Sequence, residues 1–436
     1  MVLYKIFFIY ISLFNAIFTL KLNITKNNVN TNQLLNFHLS NNNLLTNKYS
    51  IRSLINIPLQ KSQTTLYSIN LNIGEPKQNF SLILDSGSSY VWAYNSICNA
   101  CKSHNKFITD NSKTFIQSKE TINMNYLSGN AKGNLCKDNL NINKNINIPN
   151  FYFLLVYESS IDFEIDGILG LSKGSFNKKY SFMNQLKEKN IIKNNIILYD
   201  LFNKSFYIDE IPELYLRQKS VSCKNKDDKS NFWKCDINTI KVDNISIMME
   251  TEIIFDSGTN GIIFPMKYKE YLKNIIKNNK NLEENKCEFK YFEDEQLYEL
   301  ICNESIKYYD INKRENFFEF YFDKKSKNSF GIKLNDLLCE DDKSFYLFIL
   351  DRKKEIILGS PFFEKYSVLF NLDDNLINIF GAGNDFYDYK TTTNYEIGKL
   401  KIILIIIACI LLIFILARIQ CIYRRRQSYN KLEILV

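Results

Sequence analysis

Short stretches rich in apolar and aromatic residues recur through most of this 436-residue chain, and in some of them, such as 68–73, apolar and polar residues alternate. Stretches 68–73, 80–84, 151–156 and 317–322 are examples, each rich in Ile, Leu, Val, Phe or Tyr. This pattern is typical of half-buried β-strands, and long stretches with helical periodicity are few. The chain is therefore predicted to be mainly β.

The first long apolar run, residues 6–20, follows Lys5. A positive charge ahead of an apolar run predicts a secretory signal peptide, here residues 1–20. No clear cleavage site of small residues follows the run, so an uncleaved anchor is the alternative. Either interpretation directs the protein into the secretory pathway.

A second apolar run, residues 402–417, contains no charged residue. A helix over this run would span roughly 24 Å at ~1.5 Å per residue, somewhat less than a ~30 Å bilayer core. Arg418 can reach the membrane interface, which extends the predicted transmembrane helix to residues 401–423. Arginines 424–426 end the span, as is usual on the cytoplasmic side. The predicted topology is single-pass, with a lumenal body and a cytosolic tail, 424–436.

One short motif occurs twice: residues 82–89 read LILDSGSS and residues 253–260 read IIFDSGTN. Each copy is an apolar strand that runs into Asp-Ser-Gly and a hydroxyl residue. Glycine is scarce, with 14 in 436 residues, so its repeated position indicates a required tight turn. A second pair, DGILGL at 166–171 and EIILGS at 355–360, follows the two copies. The duplication predicts two similar lobes.

Each lobe would contribute one carboxylate, Asp85 or Asp256. Two carboxylates within a few ångströms cannot both ionise cheaply, so the pair shares a proton. The charged member can activate water while the protonated member polarises a carbonyl, a reaction that needs no cofactor, metal or covalent intermediate.

The serine and threonine residues of the two turns have predicted supporting roles. Ser88 and Thr259 can donate hydrogen bonds to the outer carboxylate oxygens. Ser86 and Ser257 can bond across the two turns and hold them together.

Composition argues against several other functions. The chain has two histidines, His38 and His104, so Ser-His-Asp, Cys-His and His-rich metal sites have little basis. The net charge is +8, but basic and acidic residues are interleaved, so nucleic-acid binding is not expected.

An oxidising compartment predicts disulfides, and proximity in sequence suggests Cys223–Cys235.

Residues 67–380 resemble the pepsin-like aspartic proteases. The segments that carry the resemblance are the first strand region 67–80 (YSINLNIGEPKQNF), the active-site motif 85–92 (DSGSSYVW), the disulfide loop 98–107 (CNACKSHNKF), the flap hairpin 125–133 (NYLSGNAKG), and the closing strands 357–363 (ILGSPFF) and 370–380 (FNLDDNLINIF). The abundance of Asn and Lys and the predicted anchor resemble plasmepsin-like members.

The resemblance implies a bilobal fold with a central cleft, in which Asp85 and Asp256 are the catalytic pair. The implied boundaries are a propeptide at 21–60, an N-terminal lobe at 61–212, a C-terminal lobe at 213–385 and a linker at 386–400.

The resemblance also assigns substrate contacts. Tyr126 would close over the substrate as the flap tyrosine and accept a hydrogen bond from Trp92. Ser128 and Gly129 would offer backbone groups to an extended peptide.

Three isoleucines, Ile83, Ile165 and Ile168, match positions that line a pocket next to the scissile bond. As strand residues they are equally compatible with the core. An apolar pocket would favour bulky apolar side chains.

Family positions imply the disulfides Cys98–Cys101 and Cys302–Cys339. Cys287–Cys302 stays open as an alternative, and Cys136 has no assigned partner.

The sequence departs from the family pattern at Ser86 and Ser257, where many members carry Thr and the hydroxyl is kept, and at three further positions. Leu127 replaces a flap glycine, and Asn260 replaces a hydroxyl residue. Ser360 stands where acid-acting pepsins carry Asp, so we expect an activity optimum less restricted to acid.

The sequence therefore predicts a monomeric, membrane-anchored aspartic endopeptidase that acts on polypeptides. A catalytically silent peptide-binding protein on the same fold is the alternative, and a small-ligand receptor is a weaker one.

Overall fold

The computed structural model describes residues 55–61, 66–161, 164–174, 178–201, 203–226, 230–247, 250–293, 295–306, 317–323, 328–339, 341, 343–350 and 353–381. The predicted signal peptide, linker, transmembrane helix and cytosolic tail lie outside these residues, as does the propeptide up to residue 54. Among the described residues, no helix has the length and apolar character needed to cross a membrane.

The first half of the described chain is built mainly from strands, as the alternating pattern predicts. In chain order they are β1 Ile55–Pro58, β2 Gln60–Lys61, β3 Tyr67–Ile73, β4 Gln78–Asp85, β5 Val91–Tyr94, β6 Ile116–Tyr126, β7 Gly129–Asn141, β8 Asn147–Ser159, β9 Gly167–Gly170, β10 Ile196–Asp200 and β11 Ser205–Ile208. Helix α1 (Phe182–Glu188) and the 3₁₀ turns Thr109–Asn111 and Lys178–Tyr180 interrupt them.

The second half repeats this composition. Its strands are β12 Ser220–Lys224, β13 Lys234–Ile237, β14 Thr239–Val242, β15 Ile245–Ile247, β16 Thr251–Phe255, β17 Ile262–Pro265, β18 Cys287–Phe292, β19 Leu297–Cys302, β20 Phe318–Tyr321, β21 Ser329–Ile332, β22 Ser344–Leu350, β23 Ile356–Leu358, β24 Ser367–Asn371 and β25 Leu376–Phe380. Its helices are α2 Glu213–Leu216, α3 Lys269–Asn278, α4 Lys280–Glu284 and α5 Ser360–Lys365, with 3₁₀ turns Met266–Tyr268 and Leu334–Leu337.

Among the described residues, Pro212–Arg217, which contain helix α2, belong to one of two compact units. All the remaining described residues belong to one larger unit, which contains both candidate aspartates.

Each half of the chain forms sheets of its own. An eight-stranded sheet, in the order β2-β3-β4-β9-β5-β8-β7-β6, is made only of strands that precede residue 171. A seven-stranded sheet, in the order β13-β16-β23-β17-β22-β19-β18, and a four-stranded sheet, in the order β15-β14-β20-β21, use only strands after residue 233. This division is consistent with a bilobal fold of the pepsin type.

A six-stranded sheet joins the two halves, in the order β1-β11-β10-β24-β25-β12. Its central pair, β10 and β24, is antiparallel, with Leu198 opposite Leu369. All five residues of each of these two strands are buried, which explains why their sequences are nearly continuous apolar runs. This sheet lets the two similar halves share one core.

Strand β1 falls inside the predicted propeptide, which extends to residue 60. Ile55 and Ile57 are buried, and the strand pairs antiparallel with β11 at the edge of the six-stranded sheet. Residues from Ile55 onward are therefore part of the folded body, so a cut at residue 60 would remove a strand of this sheet.

The predicted disulfides are confirmed in two cases and wrong in one. Cys98 is bonded to Cys101 and Cys223 to Cys235, as predicted. Cys302 is bonded to Cys287 instead of Cys339. The open alternative is therefore the one the structure has, and Cys136 and Cys339 are free thiols.

Strand register explains the pairing of Cys302. Cys287 and Cys302 are direct register partners in the β18–β19 ladder. The Cys302 N–H donates to the carbonyl of Lys343, whereas the Cys339 N–H donates to the carbonyl of Ser344. Because successive carbonyls in an extended chain point to opposite sides, Cys302 and Cys339 lie on different sides of this segment.

Candidate active site

Two buried strands lead into the two candidate aspartates. Strand β4 ends at Asp85, and β16 ends one residue before Asp256. Each strand pairs in parallel with a strand of the second duplicated motif, β9 or β23. The Leu171 N–H donates to the Asp85 carbonyl at 2.8 Å, and the Asp256 N–H donates to the Leu358 carbonyl at 3.0 Å. The duplicated motifs thus form two similar strand-and-turn units.

Reciprocal hydrogen bonds between Ser86 and Ser257 join the two turns, as the sequence predicts. The Ser86 N–H donates to Ser257 Oγ at 3.0 Å, and the Ser257 N–H donates to Ser86 Oγ at 2.9 Å. Each hydroxyl in turn donates to a carbonyl of the opposite strand, Ser86 Oγ to Phe255 at 2.9 Å and Ser257 Oγ to Leu84 at 2.8 Å. Both serines are buried, so the four bonds are shielded from water.

The glycine of each turn packs against the carboxylate of the other turn. A Cβ on Gly87 would lie 2.5 Å from both carboxylate oxygens of Asp256. A Cβ on Gly258 would lie 2.5 Å from Asp85 Oδ1. Any side chain at either position would push the carboxylates apart, which explains why two of the few glycines are placed here.

The two carboxylates interact strongly. Burial of Asp85 and the negative charge of Asp256 raise the pKa of Asp85 well above its ordinary value, and a hydrogen bond from the Gly87 N–H opposes this shift. The Gly258 N–H donates to Asp256 Oδ1 at 3.0 Å in the matching position. The raised pKa means that the pair retains a proton at pH values where an isolated aspartate is ionised.

The two supporting hydroxyls differ. Thr259 Oγ1 donates to Asp256 Oδ2 at 2.9 Å, as predicted. The buried Ser88 hydroxyl forms no hydrogen bond of standard geometry, but it does interact with the Asp85 carboxylate, so its predicted supporting role stays a prediction. Burial raises the pKa of both Asp85 and Tyr126, and the Ser88 hydroxyl partly opposes both shifts, so it interacts with both groups.

The predicted flap is a hairpin of β6 and β7 joined by Leu127 and Ser128. Tyr126 lies opposite Gly129 at its end, and Gly129 has φ +139°, which L side chains rarely adopt. Trp92 Nε1 donates to Tyr126 Oη at 2.8 Å, the hydrogen bond expected from the resemblance. Leu127 and Ser128 are exposed at the tip.

Ile83, Ile165 and Ile168 are buried in one apolar cluster together with Trp92, and Tyr126 packs against this cluster. They are thus core residues that also support the flap tyrosine. Their role in a substrate pocket stays a prediction.

Two polar residues near the site carry contacts that sequence reasoning missed. The buried carboxylate of Asp166 accepts hydrogen bonds from the Ser81 N–H, the Ser103 hydroxyl and the Asn105 N–H at 2.9 to 3.0 Å, which fastens the Cys98–Cys101 loop region to β4. Tyr199 Oη lies 2.7 Å from Ser257 Oγ. Asp166 belongs to the duplicated DGILG motif, so a signal for it was present.

Ser360 and Asn260 both lie near the Asp256 turn. The Ser360 N–H donates to the Thr259 carbonyl at 2.8 Å, and Ser360 is buried. An uncharged residue therefore occupies this position beside the turn. Asn260 follows Thr259 directly and is partly buried.

No group of three or more His, Cys, Asp or Glu side chains suited to a metal ion occurs within the described part of the chain. The two carboxylates can hold one proton and move it between them.

A pair of proton-sharing aspartates, held by two matching turns beneath a tyrosine hairpin, defines an aspartic peptidase type of site. Residues 66–381 match the family described as eukaryotic aspartyl protease. The chain belongs to this family.

Individual relatives are distant. Chymosin of Bos taurus is 25% identical over 243 residues, covering 51% of this chain and 61% of chymosin. Plasmepsin I of Plasmodium falciparum is 26% identical over 343 residues, covering 74% of this chain and 70% of that protein. Pregnancy-associated glycoprotein 2 of Sus scrofa is 26% identical over 262 residues, covering 55% and 59%. The chain thus spans less than two thirds of chymosin.

The raised pKa of Asp85 predicts how any hydrolysis by this pair would depend on pH. Acid–base chemistry of this kind requires that the pair hold one proton, and burial plus the Asp256 charge delay the loss of that proton as pH rises. The pH at which kcat/KM falls on the alkaline side of the profile should therefore lie well above the pKa of an ordinary aspartate, ~3.9. More than half of the maximal kcat/KM should remain at about pH 6. Rates on a fluorogenic peptide from pH 2 to pH 9 measure this, and a maximum below about pH 3 would contradict it.

Proposed function

We propose that this protein is an aspartic endopeptidase that hydrolyses peptide bonds with water activated between Asp85 and Asp256. The observation that carries the proposal is the pair of turns locked by Ser86 and Ser257, which places two carboxylates in mutual contact and raises the pKa of one. Family membership supports the same activity.

The reaction follows from the shared proton. The ionised carboxylate accepts a proton from water, while the protonated carboxyl donates a hydrogen bond to the carbonyl oxygen of the peptide. As water attacks the carbonyl carbon, the ionised carboxylate takes a proton from the water and the other carboxyl gives its proton to the carbonyl oxygen, so a tetrahedral diol forms and the pair still holds one proton. That proton passes to the nitrogen and the C–N bond breaks. One diol hydroxyl returns its proton to the pair as the C=O bond re-forms, so the pair again holds one proton.

The flap hairpin orients the bound peptide over the two aspartates. The Tyr126 hydroxyl accepts the bond from Trp92, and Tyr126 packs against the cluster around Ile83, so the ring has a fixed position over the dyad. Backbone groups of Ser128 and Gly129 at the end of the hairpin would bond to an extended peptide as an added strand. The apolar cluster beneath Tyr126 supports a preference for bulky apolar side chains next to the scissile bond.

A peptide-binding protein without activity is the alternative. The structure offers no observation in its favour, since both aspartates, Thr259 and the Tyr126–Trp92 pair are in place. One of the relatives has a name that states no proteolytic activity, so only an assay separates the two functions.

Removal of one dyad carboxylate tests the proposal. Asp85→Asn preserves the shape of the side chain but removes the shared acid–base function, so kcat should fall by about 10³-fold or more. Peptide cleavage, measured with and without a statine-type inhibitor, is the readout. The control is Asp236→Asn, the same change at an exposed carboxylate, which should leave the rate unchanged. Full activity in Asp85→Asn would refute the assignment.

We further propose that the protein enters the secretory pathway and that residues 401–423 anchor it in the membrane as a monomer with its catalytic body in the lumen. The support is the charge-free run 402–417 and the arginines that follow it. The three disulfides among the described residues are compatible with an oxidising compartment.

Alkaline carbonate extraction tests the anchor. The full chain, produced in a eukaryotic secretory pathway, should remain in the membrane pellet because a spanning helix resists extraction. A chain that ends at residue 390 should be released into the supernatant or secreted. Release of the full chain by carbonate would contradict a spanning helix.

A further inference from the structure

The hydrogen bonds of the Ser257 hydroxyl account for its full bonding capacity. A serine hydroxyl has one proton to donate and two lone pairs that accept. Ser257 Oγ donates its proton to the Leu84 carbonyl at 2.8 Å and accepts from the Ser86 N–H at 3.0 Å. Tyr199 Oη lies 2.7 Å away at the remaining lone pair. Because the Ser257 proton is already used, the Tyr199 hydroxyl must be the donor.

The Ser86 hydroxyl has a different set of partners. It donates to the Phe255 carbonyl at 2.9 Å and accepts from the Ser257 N–H at 2.9 Å. Among the described residues it has no third partner. The two serines therefore match in two bonds and differ in the third.

The duplication of the chain explains this difference. Asp256 follows Asp85 by 171 residues, and Phe370 follows Tyr199 by the same 171. Tyr199 lies on β10 and Phe370 on β24, the antiparallel central pair of the six-stranded sheet, in which Tyr199 faces Val368 and Ile197 faces Phe370. The two aromatic residues thus occupy equivalent positions in the two halves. The hydroxyl is what distinguishes them.

Packing fixes the ring that carries this hydroxyl. Tyr199 is 1% exposed, and its ring centroid lies 5.2 Å from that of Phe363, 5.4 Å from that of Phe206 and 6.0 Å from that of Phe370. Burial, together with the charges of Asp85 and Asp256, raises the pKa of Tyr199 well above its ordinary value. Among the described residues, these two carboxyl groups are the charged groups that raise its pKa, and the phenol stays protonated and able to donate while the dyad titrates.

We propose that Tyr199 is a positioning residue for the catalytic pair, because its hydroxyl ties the Asp256 turn to the six-stranded sheet and leaves the Asp85 turn with one bond fewer. This inference rests on the proposed function for its kinetic consequences. The hydrogen bond from Tyr199 fixes the position of the Ser257 hydroxyl, and this hydroxyl accepts the hydrogen bond of the Ser86 N–H. The spacing of the two carboxylates depends on both hydrogen bonds.

The consequence concerns the interval between the two macroscopic pKa values of the dyad. That interval is set by how closely the two carboxylates are held, since their mutual repulsion separates the two proton losses. A looser junction between the turns weakens this coupling. The bell-shaped pH profile of kcat should then become narrower.

Tyr199→Phe removes the hydroxyl and keeps the ring. We expect kcat per active site to fall about fivefold, KM to stay within about twofold, and the pH profile to narrow by about half a pH unit. Active sites are counted by titration with a tight-binding inhibitor, so a loss of folded protein does not mimic the result. The control is Tyr207→Phe on the neighbouring strand β11, where the same change should alter none of the three quantities.

Moving the hydroxyl tests whether position or mere presence matters. Phe370→Tyr in the Tyr199→Phe background places a phenol opposite Ser86, at the equivalent site of the other half. This variant should recover at least half of the lost kcat and of the lost profile width. Failure of the exchange together with an unchanged Tyr199→Phe profile would overturn the inference.

An amide-exchange measurement keeps the inference testable without activity. In Tyr199→Phe, hydrogen exchange of the Ser86 amide, which donates to Ser257 Oγ, should become about tenfold faster while amides of β3 keep their rates. Unchanged exchange at Ser86 would refute the positioning role. A wild-type protein that cleaves no peptide but shows the faster Ser86 exchange in the variant would refute the proposed function and leave the positioning role supported.

Discussion

The reciprocal hydrogen bonds between Ser86 and Ser257 are the constraint on which the rest of the site depends. They close two turns that come from opposite halves of the chain, and they do so between buried groups where water cannot compete. Two carboxylates that would otherwise repel one another are thereby kept in contact. When the two carboxylates share one proton, the electrostatic repulsion between them is reduced. Hydrolysis by activated water requires such a shared proton.

Much of the surrounding architecture serves this junction. Gly87 and Gly258 leave room for the opposite carboxylates. Strands β9 and β23 of the second duplicated motif pair with the strands that lead into the two turns. The six-stranded sheet joins the two halves beneath the turns and brings Tyr199 to Ser257. The flap adds a fixed tyrosine above the dyad through its bond to Trp92. The two aspartate turns are therefore nearly symmetrical, whereas the flap over them comes from the first half of the chain alone.

Sequence alone was sufficient where a feature depends on local pattern or on duplication. The alternating stretches predicted β-strands that the structure contains, and the repeated Asp-Ser-Gly predicted which side chains meet. Sequence was insufficient where the outcome depends on register or on one long-range contact. Cys302 bonds to Cys287 because the two are opposite each other in a ladder, and Ser88 is shared between Asp85 and Tyr126. Tyr199 could have been found from the 171-residue offset, but its partner Ser257 is visible only in three dimensions.

The number of protons that the dyad holds tests the central claim most directly. Potentiometric titration would compare the wild-type protein with the double variant Asp85→Asn/Asp256→Asn at about pH 5.5, above the pKa of ordinary aspartates. The account predicts that the wild-type protein binds about one proton more than the variant, because the two carboxylates share one. A difference of zero would mean that both carboxylates are ionised, and it would contradict the account.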